Sequence, residues 1–441
     1  MIQTAVGMKR YDITRESAFA EACSRITRSG ADDNANADAT DKLNATRSIV
    51  EAVRDRGDAA VAEFTERFDK VNLSSAQFEI GPKEIDAAMN RVERNVLSAL
   101  ERAHANISAF HEKNLRSSWE ETSADGSVIG QRLTSIESVG LYVPGGTAFY
   151  PSSVLMNIVP ARVAGVRDIV MVSPPSFEGS IHPLVLAAAR IAGASRVFRV
   201  GGAQSIAALA YGTESIPQVL KIAGPGNAYV TLAKRIVSGV CDIDKEAGPS
   251  EVVVLADENA DPRQVAMELL AQAEHDVDAR AILVTPSAVL VEKVLEAIEL
   301  ELRTLPRAEI ITKSLQAHGE IYVTRNLEDG EQLTNLLAPE HLSIQTGDPR
   351  SSLARIPNVG CAVLGGGTSV AVGDYYAGPN HILPTGRKAR FSSPLTAEDF
   401  RKVTSIISFS PERMRAAADD IIALANAEQL QAHARAVEIR R

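Results

Sequence analysis

The stretch VGLYVPGGTAFYPSSVLMNIVPARVAGVRDIVMV, residues 139–172, decides the fold. It begins and ends on short apolar runs, 139–143 and 168–172. Between them lie a glycine- and proline-marked turn and a helical stretch near 152–165. Strand, turn, helix and strand in that order make a βαβ unit, whose two strands lie parallel in one sheet. The same alternation continues outward, with strands predicted at 196–200 and 219–222 and helices near 182–193, 203–211 and 227–238. Past residue 250 it resumes, with strands at 251–255, 281–285, 321–323 and 342–345 and helices near 262–275 and 287–303. Two such blocks predict an α/β protein with two parallel-sheet domains.

The flanks read differently. Residues 1–40 are polar, with GADDNAN at 30–36 as a loop between two short helices. Helical spacing returns over 41–68, broken at Arg56-Gly57-Asp58, and over 82–115, which opens on Pro82. His104 and His111 share a face of that second stretch, in a solvated or helix-packing role. Residues 396–441 read as mainly helical. At about 150 residues per domain, a chain of this length suggests about three domains. Lys+Arg number 46 against 56 Asp+Glu, a net charge of −10. That balance argues against a nucleic-acid or membrane-surface protein, which would carry basic clusters. The cysteines (Cys23, Cys241, Cys361) are odd in number and far apart, with no CxxC or CxxH pair. They indicate neither a disulfide framework nor a thiolate zinc site. With no signal-like apolar start and no long apolar run, the expected compartment is the reduced cytoplasm, without a membrane partner.

Five segments could carry chemistry. Lys221-Ile-Ala-Gly-Pro-Gly-Asn-Ala-Tyr229 runs from a strand end into a helix, where glycines let backbone approach a ligand and a helix N-terminus favours an anion. As a GxGxxG dinucleotide fingerprint it is incomplete, since Tyr229 stands at the third glycine; a plain turn is the other reading. Gly201-Gly202-Ala203-Gln204 and Tyr142-Val143-Pro144-Gly145-Gly146 are similar turns at strand ends, where such sheets bind ligands. Gln272 and His275 sit three apart on one helix face, as a metal pair or as a cap. Glu340-His341 at the mouth of a strand is a plausible acid/base pair or a structural one. Residues 373–386, GDYYAGPNHILPTG, form a long irregular segment with Asp374 and His381, a functional or a surface loop. A last amphipathic helix carries Glu428 and His433, facing solvent or a partner subunit.

Taken together, the motifs GLYVPGGTAFYPSSVLMN, GGAQSIAALAYG, KIAGPGNAYV, AGPSEV, QAEHD, APEHL, GDYYAGPNHILPTG and LQAHARAVEIR, in that order, resemble the histidinol dehydrogenase family from about residue 40 to 441. The resemblance implies two incomplete Rossmann-like domains with parallel sheets, flanked by small N- and C-terminal helical segments. Its expected boundaries are 1–40, then 41–141 plus 251–395 as the zinc-bearing domain, 142–250 as an inserted NAD-side domain, and 396–441 as a tail. It implies a zinc enzyme that oxidises L-histidinol through the aldehyde to L-histidine with two NAD+, at the end of histidine biosynthesis. Zinc, one per subunit, falls on Gln272, His275, Asp374 and His433, and catalysis on Glu340 and His341. Substrate contacts fall on Ser250, His381 and Glu428, together with the metal ligands and His341; NAD contacts fall on Tyr142, Gln204 and Asn227.

The implied assembly is a homodimer that exchanges C-terminal tails, so Glu428 and His433 serve the neighbouring site. The implied chemistry has His341 taking the alcohol proton and Glu340 activating water in the second oxidation. One departure precedes AGPSEV, where the family is usually apolar but this chain has Cys241-Asp-Ile-Asp-Lys245-Glu246, implying altered packing beside the site. Alternatives are a related zinc/NAD dehydrogenase of a sulfonated diol, a zinc hydrolase using Glu340 as base, and a metabolite-binding protein without turnover.

Overall fold

A computed structural model describes residues 2–29, 37–145, 149–245 and 248–441. Three sheets organise them. The first is the five-stranded parallel sheet begun by the βαβ unit, in the order Arg196–Phe198, Asp168–Val172, Ser138–Tyr142, Lys221–Ala223 and Asp242–Ile243. Alternate strand residues enter opposite cores, as a pleat of period two requires. Val139, Leu141, Ile169 and Met171 face helices Pro151–Val163 and Pro183–Ala192, while Tyr142, Val170, Val172 and Ile222 face Gly202–Tyr211 and Ala228–Val237. Burial on both faces is why these strands read as continuous apolar runs.

The second sheet has seven strands, ordered Ile2–Gln3, Lys9–Asp12, Glu320–Val323, Arg280–Thr285, Glu251–Ala256, His341–Gln345 and Cys361–Leu364. All pairings are parallel except the N-terminal hairpin. Pro262–Ala273, Ala288–Leu302 and Ala308–His318 cover one face; Glu16–Ser29 and Leu327–Leu337 cover the other. A third, antiparallel sheet pairs Arg401–Ser408 with Val128–Ser135 and that strand with Trp119–Thr122. The α/β class with parallel sheets and helical termini is therefore as expected.

Packing draws the domain boundaries elsewhere than expected. Residues 41–141 were grouped with 251–395, yet their helices cover the five-stranded sheet. Ile49, Val53, Val61 and Phe64 join one of its cores, and Ile80, Leu100, Ala103 and Ile107 the other. The described residues of 37–250 thus gather around the five-stranded sheet, except for the strands Trp119–Thr122 and Val128–Ser135. The first 29 residues also do more than supply a helix, since Lys9–Asp12 extends the seven-stranded sheet. The 82–115 stretch is two helices, Pro82–Met89 and Arg94–Lys113. The tail, expected to be mainly helical, begins with the eight-residue strand Arg401–Ser408 before Pro411–Ala427 and Gln431–Glu438. The expected 30–36 loop, Gly146, Glu246 and Ala247 lie outside the described residues.

Candidate active site

The two large sheets present opposite ends to each other. Tyr142, Gln204 and Asn227 stand at or just past the carboxyl ends of strands in the five-stranded sheet. Ser250, Glu340 and His341 stand at the amino ends of Glu251–Ala256 and His341–Gln345 in the other. The segment 373–386 bridges them. Asn380 Nδ2 donates to the Met156 carbonyl at 2.7 Å, and the Ser153 hydroxyl lies 3.2 Å from His381 Nε2. Both partners belong to the helix that follows the first glycine turn.

At the centre is a buried group of ionisable side chains. His341 is 4% and Glu340 5% exposed. His341 Nε2 is 3.3 Å from Asp374 Oδ1, and its Nδ1 is 3.7 Å from Glu340 Oε2. Burial alone would disfavour the imidazolium, but the two carboxylates outweigh it and hold the His341 pKa well above its ordinary value. Burial also works to raise Asp374, and the charges of His341, His381 and His275 overcome it, so its carboxyl is held low. His381 goes the other way, with burial pushing its pKa down. Its Nδ1–H donates to the Asp374 carbonyl at 3.0 Å, which fixes the tautomer and leaves Nε2 to accept from Ser153.

Glu340 is oriented from behind. Its Oε2 accepts the Glu251 backbone N–H at 2.8 Å, and Glu251 is itself buried. Burial pushes the Glu251 carboxyl up to about 7, against the pull of Arg280 3.3 Å away. The other Glu251 oxygen accepts the Gly386 N–H at 3.1 Å. Glu251 thus ties the end of the irregular segment to Glu340. Sequence reasoning passed over Glu251 and Ser153, although both lie inside motifs it singled out; a lone Glu opening a strand carries no signal of its partner.

The residues present fit a zinc ion. Gln272 is buried on Pro262–Ala273 with its Nε2 lacking any partner, and an amide of this kind offers oxygen or nitrogen by a simple flip. With His275 and Asp374 it gives an imidazole, a carboxylate and an amide, a borderline set that suits zinc. Among the described residues no three His, Cys, Asp or Glu side chains are grouped to hold a metal alone. The fourth expected ligand, His433, is exposed on Gln431–Glu438, as is Glu428 before it, and that helix packs against Pro411–Ala427. One subunit does not bring these two to the other site residues.

The turns at the carboxyl end of the five-stranded sheet are closely packed. Gly224 has φ +113°, and a Cβ there would lie 2.2 Å from the Tyr142 carbonyl oxygen, so only glycine permits this crossing of strand ends. Gln204 is fully buried with Oε1 unpartnered, its Nε2 3.5 Å from Asp69. Tyr142 is buried too. Asn227 caps Ala228–Val237, its oxygen accepting from the Tyr229 and Val230 N–H groups at 3.0 and 3.1 Å.

The family model described as histidinol dehydrogenase matches residues 33–441. The chain belongs to the histidinol dehydrogenase family. A histidinol dehydrogenase of Halalkalibacterium halodurans is 52% identical over 397 residues, 90% of this chain and 93% of that protein. One from Heliobacterium mobile is 50% identical over 392 residues, 89% of this chain and 92% of that one. A crystal structure of histidinol dehydrogenase from Elizabethkingia anophelis superposes with a TM-score of 0.91 at 33% identity, covering 98% of both chains. As a family member the chain is an oxidoreductase, which sets aside the hydrolase and the non-catalytic binding protein. None of the described helices is long and apolar enough to cross a membrane.

Proposed function

We propose that the chain oxidises L-histidinol through its aldehyde to L-histidine with two NAD+, as the last steps of histidine biosynthesis. The observation that carries this reading is the convergence of buried Glu340 and His341 with the partly buried Asp374 and His381 in one cluster that touches the nucleotide half at Ser153. His341 accepts the alcohol proton as hydride leaves for NAD+. Its acceptor role requires that the carboxylates of Glu340 and Asp374, which together favour the imidazolium, be offset by a cation. Glu340, steadied by the Glu251 N–H, then takes a proton from the water that adds to the aldehyde. The gem-diol formed loses the second hydride to a second NAD+. Ser250 and His381, together with Glu428 of the partner subunit, contact the substrate.

Gln272, His275, Asp374 and His433 of the partner subunit would hold one zinc per subunit. When bound it supplies a fixed anchor for the substrate's imidazole and amino nitrogens, positioning them for hydride transfer. Tyr142, Gln204 and Asn227 would contact NAD+ in the glycine cradle. A homodimer with exchanged tails accounts for the exposed positions of Glu428 and His433. It also accounts for Ile407, Leu424 and Ile439 being 74%, 67% and 80% exposed on the third sheet and tail helices. Three free thiols and NAD+ dependence fit a reducing cytoplasm. A sulfonated diol would call for a basic residue near Glu428 and His433, and the relatives' names favour histidinol. The test is NADH formation from L-histidinol: chelator-sensitive turnover is expected, and no turnover by metal-replete enzyme refutes the reading.

A further inference from the structure

The charged segment 241–245 does not loosen the packing beside the site. It forms the outer strand of the five-stranded sheet, with the Asp242 N–H donating to Leu220 and the Asp244 N–H to Ile222 at 2.9 and 3.1 Å. Its acids meet buried bases from elsewhere. Lys221 pairs with Asp242 at 2.8 Å, and Lys234, from the helix Ala228–Val237, pairs with Asp244. The second pair is almost wholly enclosed, with side chains 3% and 1% exposed.

The two side chains also take hold of one glycine from both sides. Asp244 Oδ2 accepts the Gly224 N–H at 2.9 Å, and Lys234 Nζ donates to the Gly224 carbonyl at 3.0 Å. Lys234 Nζ further donates to the Lys245 carbonyl at 3.2 Å, just past the outer strand. A buried ion pair is a poor way to gain stability, since apolar side chains of similar size commonly do as well. Apolar replacements cannot grip two carbonyls from separate segments. Gly224 is the residue whose backbone crosses Tyr142, and it leads by two residues to the turn that ends at Asn227.

We propose that Lys234, acting with Asp244, is a positioning residue. It pins the Gly224–Asn227 turn to the outer strand at Asp244 and Lys245, and so holds the nucleotide end of the site in place. This rests on the reading of that turn as the NAD+ cradle. The pin acts through backbone and touches neither reactant.

The experiment compares Lys234→Met, which strands Asp244, with the double variant Lys234→Met/Asp244→Leu, which restores apolar burial but not the carbonyl bonds. Steady-state kinetics are run with L-histidinol, varying NAD+, beside thermal melting. The double variant is expected to melt close to wild type while its KM for NAD+ rises about tenfold, equivalent to about 1.4 kcal/mol, with a smaller fall in kcat. A double variant with wild-type melting and wild-type KM overturns the proposal, because the pair is then only a packing element. Hydrogen–deuterium exchange on the wild-type enzyme provides a second reading even if both variants fail to fold. Added NAD+ should protect 221–230 and 241–245 together, and protection of the first alone also overturns the proposal. Wild-type enzyme that makes no NADH from histidinol sinks the functional assignment instead, which the exchange measurement does not require.

Discussion

Replacing Glu340 by Gln separates the two oxidations. The change keeps the side-chain volume in a site that is 5% exposed, so the surrounding packing has no cause to shift. The amide oxygen can still accept the Glu251 N–H that Glu340 Oε2 accepts at 2.8 Å, so the side chain keeps its orientation. What is lost is the basic oxygen that takes a proton from water in the second oxidation. Removing a general base costs about 10²–10⁴-fold in rate, or ~3–5 kcal/mol of barrier. In the proposed division of labour the first oxidation uses His341, whose imidazole stays in place and loses only the pull of a carboxylate 3.7 Å away. The alcohol step should therefore fall by less than about tenfold, ~1.4 kcal/mol. Rapid mixing with L-histidinol and excess NAD+ checks this. A burst of one NADH per site followed by very slow release of the second is expected, and direct assay with the aldehyde should give the same slow rate. Equal losses in both halves would refute the division of labour between Glu340 and His341.

Other consequences follow from different parts of the molecule. Mixing Glu340→Gln with His433→Ala under conditions that allow subunit exchange should restore about a quarter of wild-type activity, because half the dimers then carry one intact composite site; no recovery after proven exchange would contradict tail swapping. Gly224→Ala places a Cβ 2.2 Å from the Tyr142 carbonyl at φ +113°, so a loss of about 2–4 kcal/mol of stability, read from denaturant midpoints, is expected along with weaker NADH binding. His111 is fully buried with both ring nitrogens unpartnered, and burial pushes its pKa from 6.5 to about 4, only partly opposed by Asp399. The unfolded chain therefore binds its proton first as pH falls, and stability is lost between pH 6.5 and 4. His111→Phe should flatten that part of the stability–pH curve, and an unchanged slope would remove His111 as its source.

Much of this was legible because strands buried on both faces announce themselves as apolar runs. The 139–143 run lies one residue from the observed Ser138–Tyr142, the 168–172 run coincides with Asp168–Val172, and the helix between them lies within two residues of Pro151–Val163. Which sheet a helix covers is another matter. The apolar stripe of Ile49, Val53, Val61 and Phe64 would suit either sheet, and only tertiary packing chose the nucleotide half. Arg401–Ser408 read poorly as a strand since its side chains are mostly exposed in a single chain, and nothing local marks Val128–Ser135 as its partner. Glu340 and His341 were legible as a pair, and Asp374 and His381 as occupants of an irregular segment. Their convergence depends on contacts across more than thirty residues, such as His341 with Asp374, which spacing does not encode. The charged 241–245 segment looked like a packing defect because its partners, Lys221 and Lys234, lie on other elements.

The most direct test of the central claim is the number of NADH formed per molecule of L-histidinol when limiting substrate is run to completion with purified, zinc-replete enzyme. The arrangement of His341 for the alcohol and Glu340 for the hydrated aldehyde predicts about two NADH, with L-histidine as the sole product. One NADH with free aldehyde accumulating, or none, would contradict it.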